Sequence, residues 1–196
     1  MLRLSDVEQV LNSYVEQLIP AMLRQQYHLT LVKGGPDYPH LPEQSHFAHI
    51  VNGVFGLTEL VRFLIVRGVS IAGLDEAAFR KALAVYTVHE VHKASDVELL
   101  ASSEFSIPLE RLQEEYERLG LSEFAKVDEH LMRAANVHKR STKHGDLLMS
   151  DDPSAARLWL LVRSADTLAS VQMPAEAADS LQGYLADLGP AFAPQS

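Results

Sequence analysis

The chain contains no cysteine among its 196 residues. Disulfide bonds, thiolate metal sites and cysteine nucleophiles are therefore excluded, and any metal site must be built from His, Asp and Glu. A chain without cysteine fits a reducing compartment, and we expect a cytoplasmic protein. The nine histidines stand out against this background.

Basic residues are scarce relative to acidic ones. Seventeen Lys and Arg residues stand against 26 Asp and Glu residues, which gives a formal net charge of −9 and a pI near 5.4. A protein that binds nucleic acid by itself normally presents a basic face to the phosphates. An acidic chain can still cleave nucleic acid if metal ions or partner proteins handle the phosphates.

Long uninterrupted apolar runs are missing too. None approaches the roughly 20 residues needed to cross a bilayer. The first residues, Met1 to Glu8, lack the order of charge, apolar core and cleavage site that marks a signal peptide. We therefore expect a protein that is not exported and has no membrane partner. With 47% hydrophobic residues the chain can bury a core, and its length predicts one domain, residues 1–196.

Apolar residues recur at helical spacing through most of the chain, which predicts an all-α fold. The predicted helices begin near Val7, Ser45, Asp75, Ser106, Ser122, Pro153 and Ala175. Pro20 predicts a kink in the first helix or its division into two abutting helices, and residues 29–32 fit a short extended segment. The acidic residues of the Ser106 helix are interpreted as a solvated face, namely Glu110, Glu114, Glu115 and Glu117.

A histidine and a carboxylate, His89 and Glu90, stand side by side at the end of an apolar helical run. Such side chains lose hydration unless they hydrogen-bond, pair or coordinate a cation. Together they suit a divalent ion such as Mn, Fe, Ni, Zn or Mg. The pair alone also fits an exposed helix end, where His and Lys face the C-terminal dipole.

Other histidines fall on other predicted helices. His46 and His49 are three residues apart, so they lie near one helix face, and Gly53 would leave space beside the His49 imidazole. The two histidines also fit ordinary polar residues at a helix start. His130 and His138 lie within the apolar sector of the helix from Ser122, and either is a candidate ligand.

Asp166 lies in a nearly continuous apolar run from Leu158 to Ala169. A buried carboxylate is costly without a cation or hydrogen-bond donors, so this residue needs a partner more than any other. Arg163, three residues earlier, is the simplest candidate, and a metal ion is the other.

The one concentrated basic stretch runs from Lys139 to Asp146 and includes Arg140, Lys143 and His144. It fits either a simple surface loop or a segment that steers a phosphate chain.

The order of His49, His89-Glu90, His138 or His144, and Asp166 resembles the HD superfamily of metal-dependent phosphohydrolases, whose pattern is H, HD, a further H, and D. A narrower resemblance is to the HD nuclease domains of CRISPR effectors, most of all the N-terminal HD domain of the type I-D large subunit. The segments that carry it are Ser45–His49, Asn52–Val54, His89–Lys93 and Leu161–Ser170. The resemblance covers about residues 45–170. It implies an HD-type helical bundle with a metal site between helices, as the N-terminal part of a larger subunit.

The resemblance also implies a ligand set. One metal would be held by His49, His89, Glu90 and Asp166, while His138 and His144 would serve a second metal or contact phosphate. Further candidate ligands are His46, His92 and His130. Two departures from the family pattern matter: Glu90 replaces an aspartate and adds a methylene, and Lys143 replaces the first histidine of a His-His-Gly motif.

The implied activity is hydrolysis of phosphodiester bonds assisted by one or two ions of Mn, Ni, Mg, Fe or Zn. Glu90 and Lys93 would be catalytic, with Lys93 orienting water or neutralising phosphate, and Lys139, Arg140 and Lys143 would bind the substrate. The implied substrate is single-stranded DNA that a guide RNA displaces, with other CRISPR effector subunits supplying recognition.

Two alternatives stay open. An HD phosphohydrolase of small nucleotides would need an aromatic residue that stacks on a base, and the candidates are Tyr38, Tyr86 and Trp159. A catalytically weak HD module would have only a structural role in the effector complex, which Glu90 slightly favours.

Overall fold

The computed structural model describes residues 2–33, 43–69, 73–89, 109–126 and 153–170. This part of the chain is mostly helical, which confirms the predicted all-α class for it. The helices are α1 (Leu4–Arg24), α2 (His46–Val66), α3 (Glu76–Val88), α4 (Leu109–Arg118), α5 (Leu121–Phe124) and α6 (Pro153–Ser170). A 3₁₀ turn (Tyr27–Leu29) and two short strands, β1 (Leu31–Lys33) and β2 (Gln44–Ser45), join α1 to α2.

Three predicted helix starts are confirmed in detail. Ser45 Oγ accepts a hydrogen bond from the backbone N–H of Ala48 at 3.1 Å, and Asp75 Oδ1 accepts one from Ala78 at 2.8 Å. Each side chain satisfies an N–H group that the first turn of a helix leaves without an intrahelical partner. Pro153 is the first residue of α6, where its missing N–H costs nothing.

Pro20 does not divide the first helix. A single helix, α1, continues through Pro20 to Arg24, so division into two abutting helices is wrong, and the other predicted outcome, a kink at Pro20, stays a prediction. Leu18 and Met22, on either side of the proline, are buried in the core. Packing of this apolar face offsets the hydrogen bond that proline cannot donate.

The helix predicted from Ser122 is interrupted early, and its predicted continuation from Val127 lies outside the described residues. The four-residue helix α5 ends at Phe124, and Ala125 has extended backbone angles of φ −150° and ψ 139°. The Tyr116 hydroxyl donates a hydrogen bond to the Ala125 carbonyl oxygen. This contact with α4 holds the chain in the extended conformation, which a helical pattern cannot reveal.

The extended segment predicted near residues 29–32 is confirmed in part, since β1 begins at Leu31. The strand β1 pairs antiparallel with β2, with Leu31 opposite Ser45 and Lys33 opposite Gln44. The backbone N–H of His46 also donates to the Thr30 carbonyl oxygen at 2.7 Å. These bonds fix the chain that leads into α2.

Helix α2 lies at the centre of the described fold. It packs most extensively against α6 and also contacts α1 and α3, and α3 packs on α6 as well. A Cβ added at Gly56 would lie 3.1 Å from the Leu168 Cβ, which shows how closely α2 approaches α6. The helices α2, α3 and α6 therefore share one buried interface.

One helix of the described residues, α2, is long and apolar enough to cross a membrane by length and composition alone. The sequence was expected to contain no uninterrupted apolar run of roughly 20 residues, and α2 meets this criterion only as an average that includes Glu59 and Arg62. The central helix of a folded domain meets it equally. Ile50, Leu57 and Val61 of α2 are buried in the core.

The acidic face of α4 is not wholly solvated. Glu115 is 6% exposed, the Tyr27 hydroxyl donates to its Oε1 atom, and Arg118 donates to its two oxygens at 2.7 and 2.8 Å. Burial, and then the Glu115 carboxylate, raises the pKa of the Tyr27 hydroxyl, which therefore remains a donor at neutral pH. The solvated-face interpretation is confirmed for Glu110, Glu114 and Glu117 and is wrong for Glu115.

We expect Glu115→Ala to lower the free energy of unfolding by about 1.5–3 kcal/mol, because hydrogen bonds to charged groups contribute about that much. Glu114, one position earlier and exposed, is the matched control, and Glu114→Ala should change stability by less than about 0.5 kcal/mol. Urea denaturation followed by circular dichroism measures both. Equal effects of the two substitutions would contradict a stabilising role for the Tyr27–Glu115–Arg118 network.

Candidate metal centre

Three ionisable side chains that are distant in sequence meet between α2, α3 and α6. His49 lies near the start of α2, His89 caps the end of α3, and Asp166 lies on α6. His49 Nε2 is 3.3 Å from Asp166 Oδ1, and His89 Nε2 is 3.7 Å from the same oxygen. One potential ligand atom from each residue lies within 4.8 Å of those of the other two. The predicted convergence of these residues is confirmed.

All three side chains are buried: His49 is 0%, His89 6% and Asp166 1% exposed. Buried polar and ionisable groups are stable only when they hydrogen-bond, pair or coordinate a cation. The cluster therefore belongs to the interior of the fold, where each contact of these groups affects both stability and chemistry.

Each imidazole also has a neighbour at its other ring nitrogen, Nδ1, the one that does not face Asp166. His49 Nδ1 lies 3.2 Å from Gln44 Oε1, and His89 Nδ1 faces the carbonyl oxygen of Tyr86. Both neighbours are acceptors, so each Nδ1 carries a proton. Each Nε2, the nitrogen nearest Asp166, is therefore the atom whose lone pair would bind a metal.

The two carboxylate oxygens of Asp166 have different neighbours. Oδ2 accepts a hydrogen bond from Arg163 Nη1 at 2.8 Å, and Oδ1 faces the two histidines. Arg163 is itself buried, with 6% of its surface exposed. The expectation that Arg163 pairs with Asp166 is therefore confirmed. This ion pair uses Oδ2 and leaves Oδ1 facing the two histidines.

The Tyr86 side chain lies beside His49 and His89. Its ring stacks on the His89 imidazole with centroids 4.5 Å apart, and its hydroxyl donates to the His49 carbonyl oxygen at 3.0 Å. A Cβ at Gly53 would lie 2.0 Å from the Tyr86 hydroxyl oxygen. The space at Gly53 that was expected beside the imidazole is therefore occupied by Tyr86.

His46 was a further candidate ligand, and the structure places its ring away from the other three side chains. Its ring is buried and stacks on Tyr27, with centroids 4.3 Å apart and an interplanar angle of 10°. Among the described residues, the group that could hold a metal ion consists of His49, His89 and Asp166. Spacing of three residues puts His46 near the correct helix face, but the ring turns toward the 3₁₀ turn.

Many predicted site residues lie outside the described residues, and their roles stay predictions. They are Glu90, His92, Lys93, His130, His138, Lys139, Arg140, Lys143 and His144.

Sequence reasoning missed the contributions of Gln44 and Tyr86 to the site. Glutamine before a helix is common and gives no signal of its own. Tyr86 precedes His89 by three residues, a spacing that brings two helical side chains together, so that contact could have been predicted. The hydrogen bond from the Tyr86 hydroxyl to the His49 carbonyl oxygen could not have been predicted.

The three donors fit a divalent metal ion. Two ligands of one ion at about 2.1 Å each can lie at most about 4.2 Å apart, and both distances to Asp166 Oδ1 are within that limit. Imidazole nitrogen suits Fe, Ni and Zn, and carboxylate oxygen suits Mg and Mn, so the mixed set favours a transition metal over Mg. Three protein ligands also leave positions for water or substrate, as in catalytic sites.

Comparison with known proteins identifies no family. No protein-family model, no curated protein and no solved structure matches the chain. The functional assignment therefore depends on the geometry of this cluster and on the resemblance of the sequence motifs.

Proposed function

We propose that this protein binds a divalent metal ion through His49, His89 and Asp166 and is a metal-dependent phosphodiester hydrolase of the HD type. The observation that carries the proposal is the convergence of two imidazole nitrogens on one carboxylate oxygen at 3.3 and 3.7 Å inside the fold. Both imidazoles are oriented with Nδ1 toward an acceptor, which favours Nε2 as the ligand atom.

The surrounding residues orient the side chains of the proposed ligands. The Tyr86 carbonyl and Gln44 orient the two imidazoles, and Arg163 holds the carboxylate through its other oxygen. Such neighbours fix ligand geometry before a metal arrives. A divalent ion in this position would supply Lewis-acid chemistry, lowering the pKa of water and neutralising phosphate charge.

The resemblance adds residues that the described geometry does not include. Glu90 and Lys93 are proposed as catalytic groups, with Glu90 also a ligand. His138 and His144 are proposed to hold a second ion or to contact phosphate. The basic residues Lys139, Arg140 and Lys143 are proposed to bind the substrate.

The proposed substrate is single-stranded DNA. Two considerations support it: the motifs resemble CRISPR-associated HD nuclease domains, and a chain of net charge −9 has few basic residues with which to hold a duplex. Other effector subunits with a guide RNA would then provide recognition. A cytoplasmic location is proposed on the same resemblance.

Two alternatives are a hydrolase of small nucleotides and an inactive structural module. A small-nucleotide hydrolase would need an aromatic residue to stack on a base, and Tyr86 is fully buried against His89. Tyr38 and the Trp159 side chain lie outside the described residues. An inactive structural module is favoured by the Arg163–Asp166 ion pair, since that bond offsets the buried carboxylate charge without a metal.

We expect the protein, with Mn or Ni, to degrade single-stranded DNA slowly and to leave duplex DNA largely intact. Cleavage of labelled oligonucleotides in both forms measures this. His89→Ala should remove the activity together with the metal, whereas Lys143→Ala should weaken substrate binding and leave metal content unchanged. Rapid cleavage of mononucleotides without cleavage of single-stranded DNA would support the small-nucleotide alternative. Full metal occupancy without either activity would support the structural module.

A further inference from the structure

Gln44 connects two parts of the metal centre. Its Oε1 atom lies 3.2 Å from His49 Nδ1, and its Nε2 atom donates to the Ala169 carbonyl oxygen at 3.2 Å. Ala169 is on α6, three residues after Asp166. One side chain of β2 therefore contacts a candidate ligand on α2 and the backbone of the helix that carries another.

The bond to Ala169 determines which end of the Gln44 amide faces His49. A carbonyl oxygen can only accept, so the amide nitrogen must face Ala169 and the amide oxygen must face the imidazole. The amide oxygen can in turn only accept, so His49 Nδ1 must donate. A reversed amide would set two acceptors against each other at Ala169. The backbone of α6 thus orients the Gln44 amide, and the amide oxygen in turn keeps a proton on His49 Nδ1.

The position of Gln44 is itself well supported. It pairs with Lys33 in the two-stranded sheet, and the next residue, Ser45, caps α2 through its bond to Ala48. Gln44 is half-buried, with limited freedom to turn away. A side chain that is held at both its backbone and its amide can impose an orientation on a neighbour.

We propose that Gln44 is a positioning residue that keeps a proton on His49 Nδ1 and so reserves Nε2, the nitrogen nearest Asp166 Oδ1, for a metal ion. Since α6 carries both Asp166 and Ala169, this helix provides one ligand and also helps to orient a second. A shift of α6 along α2 would disturb both the position of Asp166 and the hydrogen bond that orients Gln44. The consequence for metal affinity rests on the proposed function, whereas the tautomer does not.

Two substitutions separate the bonds of Gln44. Gln44→Met keeps the length of the side chain and removes both bonds. Gln44→Glu keeps an acceptor for His49 Nδ1 and removes the donor to Ala169. Gln17, an exposed glutamine of α1, provides the matched control as Gln17→Met.

The first measurement is the tautomer of His49 in the metal-free protein, read from the ¹⁵N shifts of labelled histidine at neutral pH. We expect a protonated Nδ1 in the wild type, in Gln17→Met and in Gln44→Glu, and in Gln44→Met a substantial population in which Nδ1 is unprotonated and Nε2 alone carries the proton. The second is calorimetric titration with Ni²⁺. We expect Gln44→Met to weaken affinity by about 10–100-fold, the usual effect of losing a residue that orients a ligand. Gln44→Glu should retain more of the affinity than Gln44→Met, because it keeps the acceptor for His49 Nδ1 but sets a second oxygen against the Ala169 carbonyl oxygen.

A purely structural role for Gln44 would lower the melting temperature of Gln44→Met and leave the tautomer and the affinity unchanged, which would overturn the proposal. An Nε2–H tautomer in the wild type would also overturn it, even if neither Gln44 variant folds. If the wild type binds no Ni²⁺ but the tautomers change as expected, the proposed metal site fails and the role of Gln44 in setting the tautomer stands.

Discussion

Asp166→Ala is expected to abolish the stabilisation of the protein by metal. An ion that binds only the folded state stabilises it by mass action, by about 2.7 kcal/mol at one hundred times its dissociation constant. For a domain of this size that corresponds to a rise in melting temperature of about 5–10 °C. The rise should be seen when Mn or Ni is added to the chelator-treated wild type, and it should vanish in Asp166→Ala because the oxygen shared by both histidines is gone.

The same substitution also breaks the buried ion pair with Arg163, which is expected to cost about 3–5 kcal/mol even without metal. Arg163→Met is the matched control, since it breaks the same pair and keeps the candidate ligand. It should lose comparable stability and retain a metal-dependent rise. A melting curve of the wild type that metal does not change would support the structural module, and an undiminished rise in Asp166→Ala would exclude this residue as a ligand.

Gly53→Ala is expected to destabilise the protein by about 2–4 kcal/mol, the sum of overpacking and a lost hydrogen bond. Alanine in place of glycine inside a helix normally stabilises by about 0.5–1 kcal/mol. Here the new Cβ would lie 2.0 Å from the hydroxyl oxygen and 2.2 Å from the Cζ atom of Tyr86. The ring cannot retreat without losing its stack on His89 and its bond to the His49 carbonyl. Urea denaturation measures the change.

Gly56 on the same helix provides the control. A Cβ there would lie 3.1 Å from the Leu168 Cβ, a close contact but much longer than the 2.0 Å contact at Gly53, so Gly56→Ala should destabilise the protein less than Gly53→Ala. Combining Gly53→Ala with Tyr86→Leu should cost less than the sum of the two single changes, because the shorter side chain does not reach Gly53. If Gly53→Ala proves as stable as the wild type, the packing of Tyr86 against α2 is wrong.

Local signals predicted several helix starts and the need of Asp166 for partners. Ser45 and Asp75 cap their helices through hydrogen bonds from N–H groups three residues away, so both partners lie within one short stretch of sequence. Asp166 was predicted to need partners because a carboxylate inside an apolar helix is costly. Arg163 was anticipated from its spacing, whereas the approach of His49 and His89 was expected only from the resemblance to HD proteins.

Contacts between distant residues could not be predicted in the same way. Glu115 resembles its exposed neighbours on α4, and its burial depends on Tyr27, which is 88 residues away. The space at Gly53 was anticipated, but its occupant, Tyr86, comes from another helix. His46 and His49 share a helix face, yet only His49 turns toward Asp166, because Tyr27 stacks on His46. Each outcome depends on tertiary packing rather than on spacing.

Anomalous scattering from crystals of the protein grown with Mn or Ni locates the ion directly. We predict a peak at about 2.0–2.3 Å from the Nε2 atoms of His49 and His89 and from Asp166 Oδ1, with Arg163 still bonded to Asp166 Oδ2. Crystals at saturating metal that show no peak there, with the histidines still in contact with Asp166, would contradict the proposed metal centre.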